Sequence, residues 1–309
     1  MIFKQVSNSL LMVRPTAFRY NEETAVNNYY QQDTDQNPEQ VRQLAIDQFD
    51  KFVALLRAEG VDVTVIDSLE TTPDAVFPNN WISFHENGSI VKYPMYAENR
   101  RLERRNDIVD LLNEKFQIVH SADFSHWERK HQYLEGTGSI ILDRENRIAY
   151  AAISERTDRE VLDEWASVTG YQTVIFHAYQ SVGNERKPIY HTNVMMWIGE
   201  KVAVICADSI DNENERRFIM NSLRGCDKDV ITITEEQVNQ FAGNMLQVEG
   251  SNGNLIVMST SAYNSLKLDQ KTVLNTHGKM IHSDLSIIEQ LGGGSARCMM
   301  AEVFLPIRG

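Results

Sequence analysis

Residues 136–154 read GTGSIILDRENRIAYAAIS: a small-residue turn, an apolar run from Ile140, a tight polar turn and a second apolar run that ends near Ala152. Two apolar segments split by a short polar turn are the pattern of a β-hairpin. The unit recurs on both sides. Asn79 opens NNWISFHENGSIVKYP, Thr192 opens TNVMMWIGEKVAVICAD and Gly243 opens GNMLQVEGSNGNLIVMST. Counting from Asn80 to Gly138, Asn193, Asn244 and Cys298 gives intervals of 58, 55, 51 and 54 residues, and such self-similarity points to a repeat architecture.

A fifth unit is predicted to be split, with SARCMMAEVFLPI near the C-terminus supplying one strand and SLLMVRPTAF near the N-terminus its partner. Helical periodicity fills the gaps, in VRQLAIDQFDKFVALLRAEG from Val41, ENRRLERRNDIVDLLNEKF from Glu98 and TDREVLDEWASVTG from Thr157. Further strand-like runs follow in VDVTVID, FQIVH, YQTVIFH and DVITIT, while QQDTDQNPEQ (31–40) reads as a long exposed loop. The repeating unit is therefore a hairpin, a helix and a strand. Five of them predict an α/β propeller with pseudo-fivefold symmetry, one domain over 1–309, whose strand ends converge on a central cavity. Such a ring gathers Asn80, Glu135, His191, Asn193, Asn244 and Cys298 without any local motif.

Composition narrows the function. Thirty Lys and Arg against 43 Asp and Glu give a net charge of -13, a field that repels phosphate backbones and argues against nucleic acid as a partner. No apolar run approaches the roughly 20 residues of a membrane span, and MIFKQVSNSL lacks the form of a signal segment, so a cytoplasmic protein without membrane attachment is expected. The three cysteines are too few and too scattered for a disulfide framework or a CxxC metal site. The histidines show no HExxH or Cys/His quartet spacing, so neither metal nor organic cofactor is expected.

Cys206, inside VAVICAD, reads as a small buried core residue, and Cys226 suggests no function. Cys298 differs, because it follows Gly292, Gly293 and Gly294 at the predicted start of a strand, where a thiol can meet a ligand. Neighbouring Arg297 would point to the opposite face of that strand and reads as structural. His191 in YHTNVMMW precedes a strand and could exchange a proton with a thiol or a departing amine. Glu135 in LEGTGSI has the same position in its own unit and could orient an NH-rich substrate.

The chain resembles the amidinotransferase (pentein) superfamily, and within it the citrulline utilization hydrolase and arginine deiminase-related branch. The resemblance is carried by MVRPTAFRYNEETAVNNYYQ, FPNNW, LEGTGSI, YHTNVMMWIGE, FAGNMLQV and GGGSARCMMAEVFLP. It implies a pentein fold with Cys298 as nucleophile, His191 as acid/base and Glu135 as the substrate-facing carboxylate, a covalent intermediate and no cofactor. Arginine-handling members usually carry Asp where Asn80 and Asn193 stand here. An amide offers one acceptor and one donor group, which suits a neutral ureido group. Citrulline is thus expected over arginine or methylarginine, with Asn79, Asn80 and Asn193 substrate-binding and Arg14 the choice for the substrate carboxylate. Asn21, Asn27 and Asn28 either cap a loop near the site or form turns.

The expected reaction is hydrolysis of a C–N bond in a small ureido or guanidino amino acid. Amidino transfer to an amine acceptor is the alternative, since the same thiol serves both, and a non-catalytic binding module is a second. Homo-oligomerisation stays open.

Overall fold

The computed structural model describes residues 3–308. It contains five three-stranded sheets of one topology. Ile82–Phe84, Ser89–Lys92 and His120–Asp123 form the second; Ile140–Asp143, Ile148–Ala152 and Gln172–Phe176 the third; Met196–Ile198, Val202–Ile205 and Asp229–Thr232 the fourth; Leu246–Gly250, Gly253–Ser259 and Lys279–Ser283 the fifth. In each, the middle strand runs antiparallel to the strand before it and parallel to the strand after it. The first sheet repeats the pattern from two ends of the chain: Ser9–Arg14 pairs antiparallel with Ala301–Glu302 and parallel with Asp62–Asp67. The split unit expected from the sequence is therefore present.

Each parallel pair needs a crossover, and a helix supplies it. These helices are Pro38–Ala58, Asn106–Lys115, Arg159–Thr169, Glu213–Gly225 and Leu268–His277. The first buries Val41, Ala45, Phe49, Phe52, Val53 and Leu56, one stripe of a 3.6-residue repeat. It starts three residues before the predicted Val41, because the Asn37 side chain accepts from Glu39 and Gln40 N–H and Pro38 pre-sets the first turn. Asp158 caps the third helix in the same way, and Gly170 ends it at φ 75°.

Hydrophobic clusters bridge successive sheets. Leu11, Ile82 and Ala301 join sheets one and two, and Val91, Ile140 and Ala149 join two and three. Tyr150, Trp197, Val204 and Ile256 join three, four and five, while Leu10, Met12, Leu246 and Val257 return from five to one. Burying a Leu, Ile or Phe side chain contributes about 1.5–3 kcal/mol, so this circuit dominates stability.

Several expectations need correction. FQIVH is not a strand: Phe116, buried in the core between sheets one and two, makes an isolated bridge to exposed Ile307, and the strand begins at His120. The helix predicted from Glu98 is a 3-10 turn, Asn99–Glu103, followed by a helix from Asn106, since Arg100 and Glu103 turn inward together. The loop 31–40 is not wholly exposed, because Gln31 is buried and donates to the Leu291 carbonyl at 2.9 Å. A small hairpin, Tyr179–Val182 with Glu185–Pro188, was not anticipated. Among the described residues no helix is long and apolar enough to cross a membrane.

Candidate active site

A single helical turn precedes the first strand in four units: Pro78–Asn80, Gly136–Ser139, Thr192–Val194 and Ala296–Met299. Cys298 lies on the last of these rather than at the start of a strand, because its N–H turns back to the Ser295 carbonyl at 3.0 Å. The turns carry their side chains toward one another. Gly138 shows how tightly they meet: a Cβ there would lie 2.5 Å from Asn80 Nδ2 and 2.8 Å from His191 Nδ1, so no other residue fits without displacing both.

Cys298 is 2% exposed, and its Sγ accepts from Asn193 Nδ2 and Asn244 Nδ2, each at 3.2 Å. Asn244 also accepts from the Arg297 N–H at 3.0 Å and donates to the Asn193 carbonyl at 2.9 Å, which locks the two amides together. Across the pocket, His191 Nε2 lies 2.8 Å from Glu135 Oε2. Burial is the largest influence on His191 and pushes its pKa down to about 4, against the pull of Glu135. Burial would raise Glu135, but Arg156, His191 and Arg100 outweigh it and hold the carboxyl at about 2. At neutral pH the pair is therefore an ionised carboxylate and a neutral imidazole. Nε2 then donates to Glu135, leaving Nδ1 as a proton acceptor.

Thr24, Asn28, Asp74, Phe77, Arg100 and Tyr190 line the enclosed space with Asn80, Arg156, His191 and Cys298. It has a volume of about 10 Å³, room for roughly one water. Arg100 and Arg156 are both 2% exposed. Arg100 binds Glu103 through Nε and Nη2, both at 2.9 Å, and donates from Nη1 to Asn80 Oδ1 at 2.8 Å. Arg156 donates to Asn27 Oδ1 at 2.9 Å and to the Thr24 carbonyl at 2.7 Å, with Nη1 3.5 Å from Glu135. Asp74 accepts from Asn21 Nδ2 at 2.7 Å and Thr24 Oγ1 at 2.9 Å, while its Oδ1 is buried without a partner among the described residues. Burial raises the Asp74 pKa against the attraction of Arg100. Three carboxyl groups (Asp74, Glu103, Glu135) face two guanidinium groups, and burial raises Glu103 as well, to about 7 against the pull of Arg100, so Glu135 is the carboxyl held firmly ionised.

The structure thus brings together Cys298, His191, Glu135, Asn80 and Asn193. Asn79 is buried beside them, but its Oδ1 is taken by Asn80 Nδ2 at 2.9 Å and it does not line the pocket. Arg14 is elsewhere: Asp50, on the first helix, holds it at 2.8 and 2.6 Å, and it is no part of the lining. Arg297 is buried against Glu302 at 2.8 Å, the structural place expected for it. Of the segment's asparagines, Asn21 caps the short helix Glu22–Ala25, Asn27 holds Arg156, and Asn28 donates to the Gly292 carbonyl at 3.2 Å beside the pocket. Asp74, Arg100 and Arg156 were missed. Arg156, in SERT directly after a hairpin, had a readable position in the repeat, whereas Asp74 and Arg100 lie in irregular segments with no periodic signal.

These features define a member of the amidinotransferase (pentein) superfamily. A family model described as N,N dimethylarginine dimethylhydrolase, eukaryotic, matches residues 14–305, and the chain belongs to that family. No curated protein matches it. Among solved structures it is similar to ArgZ, an arginine dihydrolase from the ornithine-ammonia cycle in cyanobacteria, with a TM-score of 0.74 at 17% identity over 97% of this chain. The chain spans only 41% of that protein, but 99% of its isolated N-terminal domain, with a TM-score of 0.72 at 17% identity over 96% of this chain. It is also similar to a DDAH cysteine-to-serine mutant from Pseudomonas aeruginosa complexed with citrulline, with a TM-score of 0.65 at 15% identity over 97% of this chain and 99% of that one. At these identities the likeness is one of fold.

Proposed function

We propose that the protein is a cysteine-dependent hydrolase that cleaves a C–N bond of a small ureido or guanidino amino acid, with citrulline its favoured substrate. The observation that carries this reading is the convergence of the Cys298 sulfur, the Glu135-oriented His191 and the unpartnered Asp74 oxygen at one enclosed pocket. In the proposed reaction His191 Nδ1 takes the Cys298 proton, and the thiolate attacks the ureido carbon. Collapse of the tetrahedral adduct expels the side-chain nitrogen, which leaves as ornithine with the proton His191 returns. Water then cleaves the carbamoyl-thioester to carbamate, which decomposes to carbon dioxide and ammonia, and restores the thiol. The five sheets, whose cores interlock in sequence, are read as one propeller domain spanning 1–309.

Charge supports citrulline over arginine. Asp74 Oδ1 offers an acceptor for the α-ammonium that either substrate carries, and Arg156, in place of Arg14, a cation for the α-carboxylate. No further unpaired carboxylate is left for a guanidinium, since Glu103 is spent on Arg100 and Glu135 on His191 and Arg156. Like charges about 5 Å apart cost roughly 3 kcal/mol at an effective dielectric of 20. A ureido oxygen, in contrast, accepts from the same guanidinium groups. Incubation with citrulline, arginine and Nω-monomethylarginine, following ornithine, ammonia and citrulline, tests this. Ornithine from citrulline together with a carbamoyl adduct on Cys298 is expected; arginine turnover with inert citrulline would overturn the substrate, and turnover of none of the three would overturn the reading as a whole.

A further inference from the structure

Glu289 lies on the short helix Ser286–Gly292, just before the turn that carries Cys298, and is 5% exposed. Its carboxyl bridges two serines: Oε1 accepts from Ser295 Oγ at 2.6 Å and Oε2 from Ser261 Oγ at 2.8 Å. Its main-chain carbonyl accepts from the Gly293 N–H at 2.9 Å, and the Gly293 carbonyl in turn accepts from the Tyr190 hydroxyl at 2.6 Å. Burial is the largest influence on this carboxyl and raises its pKa, and the groups that pull the other way are the hydroxyls of Ser259, Ser295 and Ser261. A buried carboxyl held by hydroxyls rather than by a cation is costly to keep, and one of those hydroxyls stands at the head of the Cys298 turn.

Ser295 occupies the N-cap of Ala296–Met299. A serine there ordinarily turns its oxygen back to accept from the N–H two or three residues on. Ser259 does so at the head of the helix Thr260–Ser265, accepting from the Ala262 N–H at 3.1 Å. Ser295 makes no such bond, and its hydroxyl is turned to Glu289 instead. The two N–H groups it would cap, those of Arg297 and Cys298, point to Asn244 Oδ1 at 3.0 and 3.4 Å. With Oδ1 so held, Asn244 Nδ2 donates to the Asn193 carbonyl at 2.9 Å and to Cys298 Sγ at 3.2 Å. Two acceptor sites and two N–H donors are the whole capacity of an amide, so the donor at the sulfur is fixed only while both N–H groups are left to Asn244.

We propose that Glu289 is a positioning residue for Cys298, holding the Ser295 hydroxyl off the nucleophile's turn and so reserving that turn's N–H groups for Asn244. This rests on the reading of Cys298 as the nucleophile. Without Glu289, Ser295 Oγ competes for those N–H groups, and the Asn244 amide is free to rotate away from the sulfur. Glu289 does not line the pocket, so its effect falls on kcat rather than on KM.

Citrulline turnover and crystal structures of the same full-length variants test this. Glu289→Met, which keeps the side chain's length and removes both acceptors, should lower kcat about tenfold, the loss of one hydrogen bond to a charged sulfur, with KM little changed. Its structure should show Ser295 Oγ on the Arg297 or the Cys298 N–H. Glu289→Gln, whose oxygen still accepts from Ser295 while its NH₂ donates to Ser261, should stay within about threefold of the wild-type kcat. Ser295→Ala should do the same, since alanine has no hydroxyl to divert, and adding it to Glu289→Met should restore kcat by about fivefold or more. A merely structural carboxyl would leave that double variant as slow as Glu289→Met, or slower. A double variant without recovery, a tenfold loss in Ser295→Ala alone, or a Ser295 hydroxyl that stays off both N–H groups in Glu289→Met would overturn the proposal. Where Glu289→Met does not fold, the kcat of Ser295→Ala decides. If the wild-type protein turns over neither citrulline, arginine nor Nω-monomethylarginine, the reading of Cys298 as nucleophile fails, while the structures still decide whether Glu289 sets the turn.

Discussion

The two walls of the Cys298 pocket are built from different chemistry. On one side, Asn193 and Asn244 from the fourth and fifth units aim neutral amides at the sulfur. On the other, the second and third units bring Asp74, Arg100, Glu103, Glu135 and Arg156 into one buried ionic network around His191. The neutral wall is made only of residues at the repeat's own lead position. Its amides carry no ion pair, so exchanging one breaks neutral hydrogen bonds at about 1–3 kcal/mol each. The charged wall recruits side chains from outside the repeat and is tied into the fold itself, since removing one partner of a buried pair costs about 3–5 kcal/mol. Chemistry and stability are thus less tightly coupled on the first wall than on the second.

The widest separation is expected between Cys298→Ser and Glu135→Gln. The first should reduce kcat by about 10⁴-fold or more, by analogy with the loss of other enzymic nucleophiles, with an unchanged urea midpoint. The second should reduce kcat by roughly 10²–10⁴-fold and lower stability by about 3 kcal/mol, because Arg156 and Arg100 lose their shared counter-charge. Steady-state kinetics and urea unfolding on the same preparations measure both. Equal stability losses in the two variants would erase the distinction between the walls.

The difference also governs what was legible in the sequence. The lead positions recur at regular spacing, so Asn80, Gly138, Asn193, Asn244 and Cys298 align by counting hairpins, and Glu135 and His191 fall just ahead of two of them. Strand periodicity likewise gave the hairpins of all five sheets but not the strand Lys279–Ser283, and helical periodicity named three of the five crossovers, leaving out Glu213–Gly225 and Leu268–His277. Arg100 was hidden inside what looked like one amphipathic helix, and its inward turn with Glu103 breaks that helix after a single 3-10 segment. Asp74 precedes FPNNW in a stretch without regular structure, and only the side chains of Asn21 and Thr24, some 50 residues away, reveal its direction. Arg14 is expected at the site because the MVRP string belongs to the split fifth unit. A strand position alone does not say which end faces the pocket, and Asp50 holds it elsewhere.

His191 links the walls, and its titration reports which of them dominates. Its folded pKa of about 4 lies below the ordinary 6.5, so the proton-accepting form persists as pH falls and is lost only through about pH 4. The kcat/KM profile should therefore be nearly flat from pH 7 to 5, where an ordinary imidazole would already cost about thirtyfold. Stability should move the same way. Between pH 6.5 and 4 the unfolded chain takes up a proton that folded His191 refuses, so this contribution is full above pH 6.5 and lost as pH falls toward 4. An acid limb near pH 6.5 would mean that Glu135, not burial, controls the imidazole.

On the neutral wall, Asn244→Ala should reduce kcat about 10–10²-fold, the effect of one hydrogen bond to a charged sulfur at about 1.5–3 kcal/mol. Asn193→Ala should do less. It also donates to the sulfur, but its Oδ1 has no partner to lose among the described residues, whereas Asn244 additionally holds the Arg297 N–H that shapes the nucleophile's turn. Reversal of that order would place the main support of the sulfur in the fourth unit.

The smallest effect tests selectivity rather than rate. Asn80 stands on the charged wall yet is neutral, accepting from Arg100 Nη1 and donating to Asn79 Oδ1. Asn80→Asp keeps the first contact and strengthens it with charge. The second would become a contact between two acceptors, but Asn79 can rotate its amide and present Nδ2, which has no partner among the described residues. The substitution is therefore tolerated, and it adds one carboxylate to the pocket beside Arg100. A guanidinium gains from that added charge and a ureido group does not, so the ratio of kcat/KM for arginine to that for citrulline should rise about tenfold, equivalent to ~1.4 kcal/mol. An unchanged ratio would mean that shape, not the charge of this wall, selects the substrate.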